Sequence, residues 1–300
     1  MKIYQQIAAN KWKTILIMIL FVVFITTLAF VFQKALGYGV GFTGLMLVIS
    51  GIFSFGSYYF SDQLVLATAG AKPIQKNDNP ELYRIVENLC IGDGIPVPRI
   101  YIMNETSPNA FATGRDPKHA VICVTTGLLQ KMDKSELEGV IAHELSHVKN
   151  FDTRLMGIVA ILVGFVAIIA DMFMKSMWFG GMRGRDSDRE NNSQYIFILI
   201  GIIFAILSPI IATIIQLAIS RKREYLADAS GALLTRYPEG LASALAKIAN
   251  DPHTVRGATN ATAHLFIANP FKGKDAKTWF SSLFDTHPPI EDRIKILRSM

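Results

Sequence analysis

Cysteine and histidine are scarce in this chain, and each scarcity narrows what it can be. The 300 residues include two cysteines, Cys90 and Cys123, without Cys-x-x-Cys spacing. Neither a disulfide framework nor a cysteine-based zinc site can be built from them. Charged residues make up 18% of the chain and are missing from several long stretches. Aromatic and basic residues do not interleave as they do in proteins that stack single-stranded nucleic acid. The net charge of +6 gathers near the apolar stretches instead. That distribution suits anionic lipid head groups, with nucleic acid excluded as a partner. With 51% hydrophobic residues and a positive mean hydropathy, much of the chain belongs in a membrane.

Four apolar segments stand out. Lys2, Lys11 and Lys13 precede an uncharged run over residues 14–32, long enough to cross a bilayer. It starts like a signal peptide, but it is too long and no small-x-small cleavage site follows, so it reads as a retained anchor. A short loop carrying Lys34 leads to a second run over 40–60. The two make a transmembrane hairpin, and the lysine bias places the N-terminus in the cytoplasm. The third segment, 155–174, is marginal, because Asp171 sits near its far end. The fourth, 195–219, is stronger, and Pro209 predicts a kink within it. Lys175, Arg183, Arg185 and Arg189 fall in or beside the loop between them, against the positive-inside rule for an outer loop. This second pair reads as a spanning hairpin or as a re-entrant one. In both cases the chain enters and leaves on the same side. No charge lies mid-span, which weighs against a transporter.

The remaining composition is that of a soluble domain split in two. Residues 1–60 form the first hairpin, 61–154 and 220–300 the domain, and 155–219 the hairpin inserted into it. Asn79-Pro80-Glu81 opens an amphipathic helix with Leu82, Ile85, Val86 and Leu89 on one face. Strands are expected over 99–103, 109–113 and 120–125, with a turn at 114–117. The fold class is therefore α+β and mainly helical, an integral membrane protein with a small β-sheet.

The chemistry is concentrated in Ile141-Ala142-His143-Glu144-Leu145-Ser146-His147-Val148. Histidines four apart on a helix lie one above the other, so both imidazoles can reach one metal ion. Glu144 sits about 100° round the helix from His143, close enough to hold a water without ligating. Ser135 and Glu138 have capping-box spacing, and Leu137, Val140, Ile141, Leu145 and Val148 form an apolar face. That face lies away from the histidines, which are expected to point into a cleft. If the helix runs on, it enters the membrane about 12 Å after His147, at Leu155.

A catalytic zinc needs three protein ligands and one open position. The metzincin pattern is excluded, because Asn150 and Thr153 stand where its glycine and histidine belong. Glu224 is the preferred third ligand. Asp228 follows it by one helical turn and can accept from a ligand imidazole N–H. Asp152, His264 and His287 are the rivals, with Asp152 the weakest. The Arg221-Lys222-Arg223 cluster reads as an interface anchor.

His143-Glu144-x-x-His147, then Arg221-Lys222-Arg223-Glu224-x-x-x-Asp228 beyond an apolar hairpin, closely resembles the HtpX family of bacterial membrane zinc metalloproteases. Asn109-Ala110-Phe111-Ala112, Thr262-Ala263-His264-Leu265-Phe266 and Thr286-His287-Pro288-Pro289 match that family's other signatures. The resemblance runs nearly the whole length. It implies a zincin-like, gluzincin-type peptidase domain on the cytoplasmic face of a bacterial cell membrane, with the C-terminus also cytoplasmic. One zinc ion would be held by His143, His147 and Glu224, and the role would be quality control of misfolded or damaged proteins under stress. In such a site Glu144 is the general base for the attacking water. His287 reads equally as an oxyanion donor or as an ordering residue for the Pro288-Pro289 turn. Asn109, Ala110 and Phe111 read as an edge strand receiving substrate or as an ordinary strand. The other function classes are a non-enzymatic membrane scaffold and a CAAX-type prenyl-protein protease. A dead scaffold is expected to lose Glu144 or a ligand, and the prenyl proteases resemble a chamber of more spans.

Overall fold

The computed structural model describes residues 3–36, 39, 41–180, 221–259, 261–271 and 288–300. Two long apolar helices come first, α1 (Ile3–Leu36) and α2 (Gly41–Thr68). Both are long and apolar enough to cross a membrane, over Ile7–Phe30 and Gly41–Thr68. Both expose bulky apolar side chains, opposite to a helix in water, and α2 also buries small polar ones, while α1 buries Ile17, Phe21 and Ile25. Trp12, Ile19, Val23, Ile52 and Phe55 are exposed, whereas Ser50, Ser54, Ser57 and Ser61 are buried along one stripe of α2. Small polar residues inside and bulky apolar ones outside are what lipid selects, since it gives no hydrophobic drive between helices.

A sheet in the order β1 (Lys72–Pro73), β2 (Arg99–Met103), β4 (Val121–Thr125), β3 (Ala110–Thr113) lies beside these helices. β2 and β4 run parallel, and the β1–β2 and β3–β4 pairs are antiparallel. β3 starts one residue later than expected, because Asn109 turns its Oδ1 back to accept from the Ala110 N–H at 3.0 Å. Alternation along each strand sends neighbours to opposite faces, and both faces are covered. Ala110, Ala112, Ile122 and Val124 join Val86, Ile141 and Leu145 in one core. Phe111, Val121 and Cys123 join Val65, Leu155 and Ile158 in a second. The sheet is thus wedged between the soluble helices and the roots of the apolar ones, which is why β4 reads as a continuous apolar run.

α3 (Pro80–Asp93) begins as the sequence predicts, with Asn79 Oδ1 accepting from the Leu82 N–H at 3.0 Å. After α4 (Thr126–Lys131) comes α5 (Lys134–Lys149), which carries the metal motif. Its capping box is made by Asp133 and Glu136, not by Ser135 and Glu138. Asp133 Oδ1 accepts from the Glu136 N–H and Glu136 Oε2 from the Asp133 N–H, each at 2.9 Å. Both pairs have the same spacing, and tertiary contacts decide between them. Glu136 also meets Ser243 and Lys247, each at 2.6 Å, on α8 (Pro238–Asn250).

The expected straight run from α5 into the membrane does not occur. α5 is capped at Asn150, Phe151 takes a left-handed φ of 60°, and α6 (Asp152–Gly180) starts afresh. That elbow swings Asp152 back towards α5. The third apolar segment lies within α6, whose first half packs against α1 and α2. The fourth segment, 195–219, lies outside the described residues. Two more helices among the described residues are α7 (Arg221–Thr235) and α9 (Ile290–Leu297).

Candidate metal centre

His143, Glu144 and His147 are not on an open cleft. All three are buried, at 0%, 2% and 4% exposure, covered by α7 and by Arg293 of α9. The two helices that meet here come unusually close. A Cβ built on Gly231 of α7 would stand 3.1 Å from the backbone nitrogen of His143. Only glycine allows that approach without displacement, and it brings the first turn of α7 over the motif.

The Nε2 atoms of His143 and His147 are 3.2 Å apart. Glu224 Oε1 lies 3.5 Å from His147 Nε2, and its Oε2 lies 3.8 Å from His143 Nε2. One ligand atom from each of these residues falls within 4.8 Å of the others. Two imidazole nitrogens and a carboxylate converging in a buried place form a site that a divalent cation can occupy, in exchange for any proton shared among them. Two imidazoles and one carboxylate are a donor set that suits zinc.

Each imidazole is held from behind by a carboxylate. His143 Nδ1 is 2.9 Å from Asp228 Oδ1, and His147 Nδ1 is 3.0 Å from Asp152 Oδ2. An N–H directed to a carboxylate fixes the tautomer and turns the Nε2 lone pair towards the centre. Arg293 donates to both oxygens of Asp228, at 2.8 and 2.7 Å, and to Ile267 O at 2.8 Å. Its Nη1 is 3.7 Å from Glu224 Oε2. Burial alone would raise the Asp228 pKa, but the Arg293 charge and bonds outweigh it and hold the carboxyl down at about 2. Glu144 goes the other way. Burial raises its pKa to about 7, with the Glu224 charge adding to that, against the His147 charge and a backbone hydrogen bond from Ala112.

His143, Glu144, His147, Glu224 and Asp228 are therefore brought together from two segments far apart in the chain. Asp152, the weakest rival for ligand, supports His147 instead. His264 is buried elsewhere, with Nε2 3.1 Å from Met156 O, and His287 lies outside the described residues. Arg223 is no simple lipid anchor, being buried with Nη1 3.4 Å from Asp152 Oδ1. Arg293 was missed by sequence reasoning. The signal was a charge set among Ile290, Ile294 and Leu297 on the apolar face of α9.

β3 lies at one edge of the sheet, but Asn109, Ala110 and Phe111 are all buried. Ile267 N–H donates to Ala110 O at 2.9 Å, Phe266 bridges Phe111, and Asn109 Nδ2 donates to Ala268 O at 3.2 Å. The chain's own segment thus pairs with this edge.

Comparisons with known proteins agree with the geometry. The profile of peptidase family M48 matches residues 76–300. "Protease HtpX homolog" of Thermoanaerobacter pseudethanolicus is 45% identical over 298 residues, covering 99% of this chain and 98% of that one. The protein of the same description from Tropheryma whipplei strain Twist is 44% identical over 297 residues, with 99% and 98% covered. The crystal structure of S. mikatae Ste24p aligns with a TM-score of 0.48 at 16% identity, covering 89% of this chain and 61% of that one, and carries no weight here. With a family profile spanning most of the chain and HtpX relatives matched nearly end to end, the chain belongs to peptidase family M48, as a membrane metalloprotease of the HtpX type.

Proposed function

We propose that this protein is a zinc endopeptidase that cleaves misfolded or damaged membrane proteins at the cytoplasmic face of a bacterial cell membrane. His143, His147 and Glu224 are the metal ligands in this reading. The observation that carries it is their buried convergence, with Asp228 and Asp152 behind the two imidazoles. When bound, zinc supplies a Lewis acid that acidifies water and polarises the scissile carbonyl.

The chain's own groups do the rest. Glu144 accepts the proton of the attacking water at its carboxylate and delivers it to the leaving amine. Its helix packs against β3, which sets the base beside the strand where an extended substrate would run. For that, the Phe266 and Ile267 segment must first give way from the edge formed by Asn109, Ala110 and Phe111. Arg293 keeps Asp228 ionised, which keeps the His143 proton on Nδ1. His287 is assigned as a second donor to the oxyanion. The peptidase domain comprises 61–154 and 220–300, and the inserted hairpin, 155–219, ties both halves to one side of the bilayer.

Two variants of the detergent-purified protein test this. Glu144→Gln is expected to keep one zinc ion per chain and to lose at least about 100-fold in cleavage of an unfolded protein. Glu224→Ala is expected to lose zinc and cleavage together. Cleavage by Glu144→Gln within about tenfold of the unaltered protein ends its role as base. A full zinc complement in Glu224→Ala ends its role as ligand.

A further inference from the structure

Asn10 is a polar side chain in an apolar helix, and it is only 3% exposed. Burying an amide there is costly unless each N–H finds an acceptor. Both do. Asn10 Nδ2 donates to Asn150 O at 2.9 Å and to Asp152 Oδ1 at 2.7 Å. The other oxygen of Asp152 is the one lying 3.0 Å from His147 Nδ1. A single line of hydrogen bonds therefore runs from the first apolar helix, across the α5–α6 elbow, to an imidazole of the metal centre. The next residue of α1 grips the same elbow, with Lys11 Nζ 4.7 Å from the centroid of the Phe151 ring. Phe151 is the residue in the left-handed conformation, uncommon for a bulky side chain.

The side-chain type fits this place. A primary amide offers two donors to two acceptors at once, where a hydroxyl offers one and a carboxylate would repel Asp152. Arg223 also reaches Asp152 Oδ1, but at 3.4 Å against 2.7 Å for Asn10. Asn10 is the closer donor.

We propose that Asn10 is a positioning residue for the metal centre. It holds Asp152 against His147 and fixes the elbow, so the first apolar helix is part of the peptidase site as well as an anchor. The inference rests on His147 being a metal ligand.

The test uses the full chain in detergent, stripped of metal and titrated with zinc against a chromophoric chelator, with the cobalt form followed by its visible spectrum. Removing an outer partner of a metal-bound imidazole costs about 10- to 100-fold in affinity, and Asn10 acts one bond further out, so Asn10→Ala is expected to raise the zinc Kd about 3- to 10-fold. Its cobalt spectrum is expected to shift. Asp152→Asn should cost more, and the double variant should be no worse than Asp152→Asn alone, because both break the same link. Asn10→Ser keeps one donor and should fall between, which preserves the test if the alanine variant fails to fold. Ile17→Ala, in the apolar packing of the same helix, should leave the zinc Kd unchanged. An unaltered Kd and spectrum in Asn10→Ala and Asn10→Ser overturn the inference, as does an equal effect of Ile17→Ala or an additive double variant. His147→Ala separates the two readings. If it binds zinc as tightly as the unaltered protein, the ligand assignment fails. If it loses zinc while the Asn10 variants keep full affinity, only the role of Asn10 fails.

Discussion

The two histidines of the motif are chemically alike and environmentally opposite. Burial lowers the pKa of both. For His143 it prevails, since Arg293 neutralises the Asp228 beside it. For His147 the Asp152 bond and the Glu224 charge prevail, raising the value to about 9. A proton on His147 is therefore expected in the metal-free protein near neutral pH, to be displaced when zinc binds. Protons compete with metal below that value, so apparent zinc affinity is expected to rise about tenfold per pH unit from neutrality up to about 9. Calorimetry in buffers of different ionisation heat should count about one proton released per zinc near neutral pH. No release would mean that His147 is already neutral.

At the scale of elements, α5 is held at its start and pressed along its length. Asp133→Ala removes the cap and is expected to cost about 1 kcal/mol in denaturant unfolding, whereas Ser135→Ala should cost only a few tenths. The reverse order would restore the box expected on Ser135 and Glu138. That error was local. Both pairs show the same spacing, and the contacts of Glu136 with Ser243 and Lys247 lie more than a hundred positions away in sequence. Further along, Gly231→Ala gains about 1 kcal/mol of helix propensity and costs about 1–3 kcal/mol by crowding the His143 backbone. Overall stability should change little or fall modestly. Zinc affinity should fall clearly, because α7 carries Glu224 and Asp228 away from α5. Unchanged affinity in that variant would show that the contact is slack.

For the whole molecule, the meeting of the two halves of the site constrains the topology. Glu224 meets His143 and His147, so the segments before and after residues 155–219 share one side. Reporter fusions near the N-terminus, at about Lys76 and at Met300 are all expected to read as cytoplasmic. An external reading at Met300 alone would contradict the assembled site. A reporter within 182–191 decides between a spanning and a re-entrant second hairpin.

Spacing by itself determined a good part of this protein. Histidines at i and i+4 with a glutamate between them, and a carboxylate pair one turn apart beyond an apolar hairpin, predict a metal centre because helical geometry is local and periodic. β2, β3, β4 and α3 were legible for the same reason, since alternation and an Asn-Pro-Glu start are read within a few residues, whereas the two-residue β1 was not, being too short to show a period. The partners that hold the imidazoles were not all legible. Asp152, five residues after His147 and near the bilayer entry, ranked as the weakest rival for ligand, and the left-handed turn at Phe151 that returns it to His147 as a hydrogen-bond partner is not encoded in any periodicity. Arg293 and Asn10 reach the centre from the two ends of the chain. The occupied edge of β3 is likewise a contact between distant segments. A buried polar group takes whatever partner the packing brings to it, and no local pattern specifies that partner. The tertiary structure alone decided those contacts.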